Sequence, residues 1–300
     1  MRDSLFEELF GEVDTFKAET LAELTAEYEE LSDELLYWLT LFRSDNDTLV
    51  WASMREYLTA SQLRRFKRYI GEDRVRVRKI DALTLMLETK LTEIHNTYAE
   101  KVQEFETKLY EETYYKELYE SQREQESYWY ITALLVPDIV KTVLRDWTAD
   151  RVNFVERIGM RKDQLVDKLH KLITQTIIRG ESPETIIKEV QKQFDISKNQ
   201  AKNLINTEST RIVSAASYDA MRKANAREYV YSAILDTRTS DICRSMNGRR
   251  FKITEYEIGV TAPPLHSHCR SAIKWLAPKQ GVGDSTIHTY TDWFEKYIRK

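Results

Sequence analysis

The sequence predicts a mainly α-helical chain with a small C-terminal α+β module, its long N-terminal helices forming a bundle or hairpin. Eight Gly and five Pro stand among 300 residues, and four of the five prolines lie at or beyond Pro183. The first 180 residues are therefore poor in helix breakers. Apolar residues recur there at steps of three and four over long stretches, the signature of an amphipathic helix. Beyond Asn225 the pattern changes to weak alternation around an Asn-Gly turn signal.

The elements follow in order. Leu21, Leu24, Tyr28, Leu31, Leu35 and Trp38 make a heptad-like seam between Glu and Asp residues. Ser44, Asp45, Asn46 and Asp47 break it, and a shorter helix is expected through Trp51, Met54, Leu58 and Phe66 before Gly71. The longest helix follows, because Ile80, Leu83, Leu87, Leu91, Ile94, Tyr98, Val102, Phe105 and Leu109 hold one stripe at roughly 3.6 residues per turn. The Tyr-rich stretch from Tyr110 to Tyr130 reads either as a partner-facing surface or as ordinary helix packing.

From Ile131 further helices are expected, with a kink or fresh start at Pro137. Trp147, Phe154 and Ile158 share a face there, and Gly159 is the expected end. Leu165, Leu169, Leu172, Ile173 and Ile177 form a stripe that stops before Gly180. Ser182-Pro183-Glu184 then supplies an N-cap, a first-turn proline and a carboxylate near the positive helix end. Ser197 with Gln200 has the spacing of a capping box, predicting a new helix through Ala201, Leu204, Ile205, Ile212 and Ala216. Tyr229 to Leu235 is rich in β-formers, Asn247-Gly248 marks a turn, and Phe251 and Ile253 follow at period two. The expected regions are an N-terminal helical part (1–130), a helical linker (131–195), the α+β module (196–277) and a tail (278–300).

The net charge of −4 conceals an asymmetry, since residues 196–300 hold 17 Lys+Arg against 10 Asp+Glu, a balance of +7. A basic C-terminal third can meet an anionic polymer while an acidic N-terminal part faces protein or solvent. The two cysteines, Cys243 and Cys269, cannot build a disulfide framework, and no charged-then-apolar leader opens the chain, so a reducing cytosol is expected. No apolar run reaches the length of a membrane span. Walker-type loops, Gly-x-Ser-x-Gly elbows and His-Glu-x-x-His motifs are absent from the sequence.

Three segments carry the most information. They are Asp236-Thr237-Arg238-Thr239 leading to Cys243, then Asn247-Gly248-Arg249-Arg250-Phe251, then Pro263-Pro264-Leu265-His266-Ser267-His268-Cys269-Arg270. With the upstream Thr207-Glu208, their order and spacing resemble the head-morphogenesis family of tailed phages, the Mu F-type minor head proteins. The resemblance covers roughly residues 140–277 and is clearest from Thr207 to Arg270. Many members of that family have Cys where this chain has Ser240 and Ser271, and Arg where it has Asn206.

Among the remaining residues, Cys243, His266 and Cys269 have the donor types of a zinc clip, with Asp236 or His268 as fourth ligand. The alternative is two buried reduced cysteines and a hydrogen-bonded histidine, with Asp236 and Arg238 in an ion pair or capping the turn. Arg249, Arg250, Lys252, Arg270 and Lys274 are the candidate phosphate contacts.

The resemblance implies a non-enzymatic minor head protein of the virion, assembled in the host cytoplasm. Its expected partners are portal protein, scaffold or major capsid protein, and non-specifically bound double-stranded DNA, with no membrane partner. The rival expectation is a metal-dependent hydrolase or nuclease on the Cys/His cluster, with Glu208 or Asp236 as general base.

Overall fold

The computed structural model describes residues 2–41, 48–50, 64, 76–131, 153–275, 278–279 and 281–298. The break from Ser44 to Asp47, the helix expected through Trp51, Met54, Leu58 and Phe66, and the stretch with Pro137 and Trp147 lie outside the described residues. Among those described, the order is α1 (Arg2–Leu41), β1 (Thr48–Val50), β2 (Arg76–Arg78), α2 (Lys79–Glu124), α3 (Phe154–Ile178), α4 (Pro183–Lys223), β3 (Glu228–Ala233), α5 (Asp241–Met246), β4 (Arg250–Lys252), β5 (Ser271–Trp275) and α6 (Tyr290–Tyr297). The chain is thus mainly α-helical, with a small three-stranded sheet toward its C-terminus. No helix among the described residues is long and apolar enough to cross a membrane.

The residues divide into two compact units. One comprises Thr20–Glu100 and Val155–Ala201. Its core is built from the seams read in the sequence: Leu24, Tyr28, Leu31, Leu35 and Trp38 of α1, and Leu83, Leu87, Leu91, Ile94 and Tyr98 of α2, are all buried. β1 and β2 pair antiparallel with Leu49 opposite Val77. Gly159, expected to end a helix, lies inside α3. A lone interior Gly costs only about 1 kcal/mol relative to Ala, and burial of Ile158, Leu165, Leu169 and Ile173 offsets it. α3 ends where expected. Gly180 takes φ +70 and donates its N–H to the Ile177 carbonyl, and the Ser182 hydroxyl then accepts from the Thr185 N–H.

Ser197 does not open a new helix, since α4 runs unbroken from Pro183 to Lys223. Its hydroxyl lies 2.9 Å from the Tyr28 hydroxyl, and the Tyr28 ring stacks on Phe194 with centroids 4.4 Å apart. A side chain engaged across the core is not free to cap its own backbone.

The second unit comprises Met1–Glu19, Lys101–Phe154 and Lys202–Lys300. Leu5, Phe6, Leu9, Phe10 and Val13 of α1, Val102, Leu109, Tyr110 and Leu118 of α2, and Ile205, Ile212, Val213 and Ala216 of α4 supply its buried apolar residues. Phe16 stacks on Phe105 with centroids 3.9 Å apart. The sheet has the order β4-β3-β5, both neighbours antiparallel to β3. Tyr229 stands opposite Phe251 and Trp275, while Val230 stands opposite Arg250 and Lys274. One face is therefore aromatic and buried, and the other polar and basic. Ile253, expected to continue β4, instead opens a 3-10 turn over Ile253–Glu255. There the Glu255 carboxylate accepts from the Lys252 N–H at 2.6 Å and closes the strand.

The segment expected as a tail completes this core. Trp293 is fully buried, its indole N–H donates to the Gln122 side-chain carbonyl at 2.9 Å, and its ring lies 5.6 Å from that of Tyr119. The Tyr128 N–H donates to the Val282 carbonyl and the Ile131 N–H to the Tyr297 carbonyl. Most of the Tyr-rich stretch is thus helix packing, with Tyr110, Tyr114, Tyr119 and Tyr128 buried. Gly281 is required where it stands, because a Cβ there would lie 1.8 Å from the Tyr128 carbonyl oxygen.

Trp293→Ala is expected to lower unfolding free energy by about 3–5 kcal/mol, the usual cost of deleting a buried aromatic side chain. Gly281→Ala should also destabilise. Chemical denaturation of both variants checks this, and wild-type midpoints would show that the C-terminal segment is not part of the core.

Candidate functional site

The three motif segments converge around the C-terminal end of β3. After β3 the chain turns on Asp236, whose carboxylate accepts from the Arg238 N–H at 2.8 Å, while the Thr239 hydroxyl donates to the Ile234 carbonyl and accepts from the Asp236 N–H. Arg270, from the third segment, places Nη2 2.6 Å from both Asp236 oxygens. This ties the turn to the start of β5. That hydrogen bond, together with the Arg238 N–H, holds the Asp236 carboxyl well below the usual carboxylate range. Arg238 itself is exposed, 3.6 Å from Asp236 through Nε.

Ser240 caps α5 by accepting from the Cys243 N–H. α5 ends at Asn247, whose side-chain oxygen accepts from the Ala233 N–H. Gly248, at φ +83, donates to the Tyr231 carbonyl, a backbone conformation that glycine adopts without steric cost. Asn247 and Gly248 thereby re-aim the chain into β4. Pro263 and Pro264 are buried, joined by a cis peptide, just before the loop that carries His266 and Cys269.

Cys243, His266 and Cys269 meet. The two sulfurs are 3.6 Å apart, Cys243 Sγ is 3.1 Å from His266 Nε2, and all three donor atoms lie within 4.8 Å of one another. The Tyr231 hydroxyl lies 3.2 Å from Cys243 Sγ, and the Ser240 hydroxyl 2.7 Å from His266 Nε2. His266 Nδ1 lies 2.6 Å from the Ser267 carbonyl. A carbonyl only accepts, so Nδ1 carries the proton and Nε2 presents a lone pair to the cluster. The hydrogen bond with the Cys269 thiol pulls the Cys243 thiol down against burial. The same bond, with burial, pushes Cys269 up. Of the two thiols, Cys243 is therefore the one that gives up its proton more readily.

The two residues expected to complete a ligand set are held elsewhere. Asp236 belongs to Arg270. His268, at φ +62, accepts at Nδ1 from the Asn206 side-chain N–H at 2.8 Å, and the Asn206 oxygen accepts from Lys17. Asn206 stands out in the sequence only as a departure from the family's Arg, and Lys17 not at all, because nothing in α1 marks a residue that meets a segment about 190 to 250 positions away.

Glu208 is not at the cluster. It is buried with Arg211, whose Nε lies 3.1 Å from its carboxylate, and both side chains are at most 2 % exposed. Neither Glu208 nor Asp236 is placed as a general base for the Cys/His group. Beside this pair is a residue that no motif announced: Glu106 of α2, fully buried, with neither carboxyl oxygen hydrogen-bonded. Burial and the Glu208 charge push its carboxyl far above the ordinary range, against the pull of Arg211.

The basic candidates separate into two groups. Arg250, Lys252 and Lys274 share the polar face of the sheet, with Arg250 and Lys274 on one rung either side of Val230. Arg249, Arg250 and Lys252 are exposed and Lys274 half-buried. Arg270 is instead committed to Asp236.

Residues 167–274 match the family model described as Phage Mu protein F like protein, the family that the three motif segments resemble. No curated protein and no solved structure matches the chain. The matched region begins within α3 and ends within β5, so it contains the whole Cys/His cluster, the Asp236–Arg270 pair and the basic sheet face.

Two pH effects follow. Asp236 has a depressed folded-state value, so its contribution to stability is complete above about pH 4, near the unfolded value, and is lost as pH falls. Asp236→Asn should accordingly lose thermal stability at pH 7 and show a flatter acid limb than wild type. Glu106 has the opposite sign. The unfolded state ionises above about pH 4.3 while the folded state keeps its proton, so stability declines as pH rises. Glu106→Gln should gain melting temperature over wild type at pH 8 relative to pH 5. Parallel pH profiles for either variant and wild type would contradict the corresponding assignment.

Proposed function

Taking as premise that residues 167–274 form a Phage Mu protein F like region, we propose that this chain is a minor head protein of a tailed bacteriophage. It is a structural component of the virion that acts in head morphogenesis and contacts packaged or ejected DNA without reading its sequence. The observation that carries the DNA contact is the polar sheet face, where the register puts Arg250 and Lys274 on either side of Val230 and Lys252 opposite Glu228, with Arg249 at the adjoining turn. Charges arrayed on a rigid sheet match phosphate oxygens, and they read no base edges unless a strand enters a groove. Arg270 contributes positioning through Asp236. The helices supply the protein contacts, to portal protein and to scaffold or major capsid protein. Met160 and Ile178 of α3 and Ile196 of α4 leave about half or more of their surface exposed, apolar area of the kind that interfaces use.

The full chain should bind unrelated duplexes with similar affinity. Three to four phosphate contacts predict a loss of about 40- to 150-fold between 50 and 200 mM salt. Replacing Arg249, Arg250, Lys252 and Lys274 by Ala should remove most of that binding and flatten the salt slope. Strong preference for one sequence, or unchanged binding by the fourfold variant, would overturn the assignment.

A further inference from the structure

We propose that Cys243, His266 and Cys269 are the protein ligands of a zinc ion that clips α5 to the loop ahead of β5. The donor set is two sulfurs and one imidazole nitrogen, a combination that suits zinc and not the hard, oxygen-seeking cations. Spacing agrees with it. Tetrahedral bonds of about 2.3 Å to sulfur and 2.0 Å to nitrogen place two sulfurs about 3.8 Å apart and sulfur about 3.6 Å from nitrogen. Here the sulfurs are 3.6 Å apart, Cys243 Sγ is 3.1 Å from His266 Nε2, and all three donor atoms lie within 4.8 Å of one another, so side-chain adjustments of about half to one ångström would admit the ion.

The imidazole is already oriented for the task. Its Nδ1–H donates to the Ser267 carbonyl, the hydrogen bond by which metal-bound histidines are commonly held in one tautomer. Both cysteines are buried, and His266 is half-buried. With Asp236 and His268 engaged elsewhere, the fourth position falls on the Ser240 side, to its hydroxyl or to a water bound there. Zinc displaces the remaining thiol protons and changes no oxidation state. The clip would join two segments whose own apolar cluster is small, with Tyr231, Cys243, Met246 and Cys269 at its centre.

The full chain, purified reduced and without chelator, should contain one zinc per molecule by elemental analysis. The stripped chain, titrated with cobalt(II), should show the visible bands of tetrahedral cobalt together with a sulfur-to-cobalt charge-transfer band in the near ultraviolet. His266→Ala should weaken zinc binding by about 100-fold or more, whereas His268→Ala and Asp236→Asn should keep the full metal content. A chain with two titratable thiols that takes up neither zinc nor cobalt would overturn the site. So would full metal content in Cys243→Ser. Should Cys243→Ser not fold, the cobalt spectrum of the unmodified chain decides, and a tetrahedral spectrum without the sulfur band refutes the ligand set.

Discussion

The C-terminal module depends on the register of β3, which is paired on both sides and so transmits any shift to the whole sheet. In the observed register Tyr229 and Tyr231 face inward and are almost fully buried, and Val230 and Ser232 face the other way. A slip of one residue would exchange the faces, burying Glu228 and exposing two tyrosines. It would also remove the Tyr231 hydroxyl from the cysteines and scatter Arg250, Lys252 and Lys274. Two turns at the C-terminal end of β3 hold this register: Asp236 and Thr239 fix its exit, and Gly248 bonds back to Tyr231.

The helical face of the same unit is held differently, by polar groups inside the core. Ser209, Ser214 and Ser217 of α4 are fully buried, small enough to let helices approach, and Ser217 donates to Glu117 of α2 at 2.9 Å. The Glu208–Arg211 pair lies in this setting. A buried ion pair adds little net stability compared with an apolar replacement, but removal of one partner is expensive because a charge is left unpaired. Such an arrangement favours one packing of α2 against α4 over slid alternatives.

Much of this architecture was legible in the residues. The seams of α1 and α2, the Ser182-Pro183 helix start, β3 and the Asn247-Gly248 turn follow from local periodicity and backbone preference, which act over a few residues. The convergence of Cys243 with His266 and Cys269 was legible through donor type and motif order. What was not legible depends on partners distant in sequence. Ser197 has the spacing of a cap, and its commitment to Tyr28 is invisible locally. Asp236 or His268 fits a fourth ligand by donor type alone, and Asp236 equally fits the turn-capping alternative, because Arg270 and Asn206 compete for them only once the chain has folded. Residues 278–300 read as a tail although Tyr290, Trp293, Phe294 and Tyr297 recur at helical spacing behind a Thr289–Asp292 capping box; a stripe of only eight residues does not show which distant partner buries it, and here Trp293 is fully buried.

The place of that tryptophan has a consequence for how the polypeptide reaches its native state during synthesis. The unit to which it belongs gathers residues 1–19, 101–154 and 202–300, so its core cannot close until nearly the whole chain has left the ribosome. Until then Gln122 and Tyr119 wait without their indole, and the first helix has been in solution for most of the elongation time. At about 5–20 residues per second that interval is on the order of ten seconds to a minute. During it the aromatic surface that Trp293 covers stays open, and this unit completes its fold only late in translation.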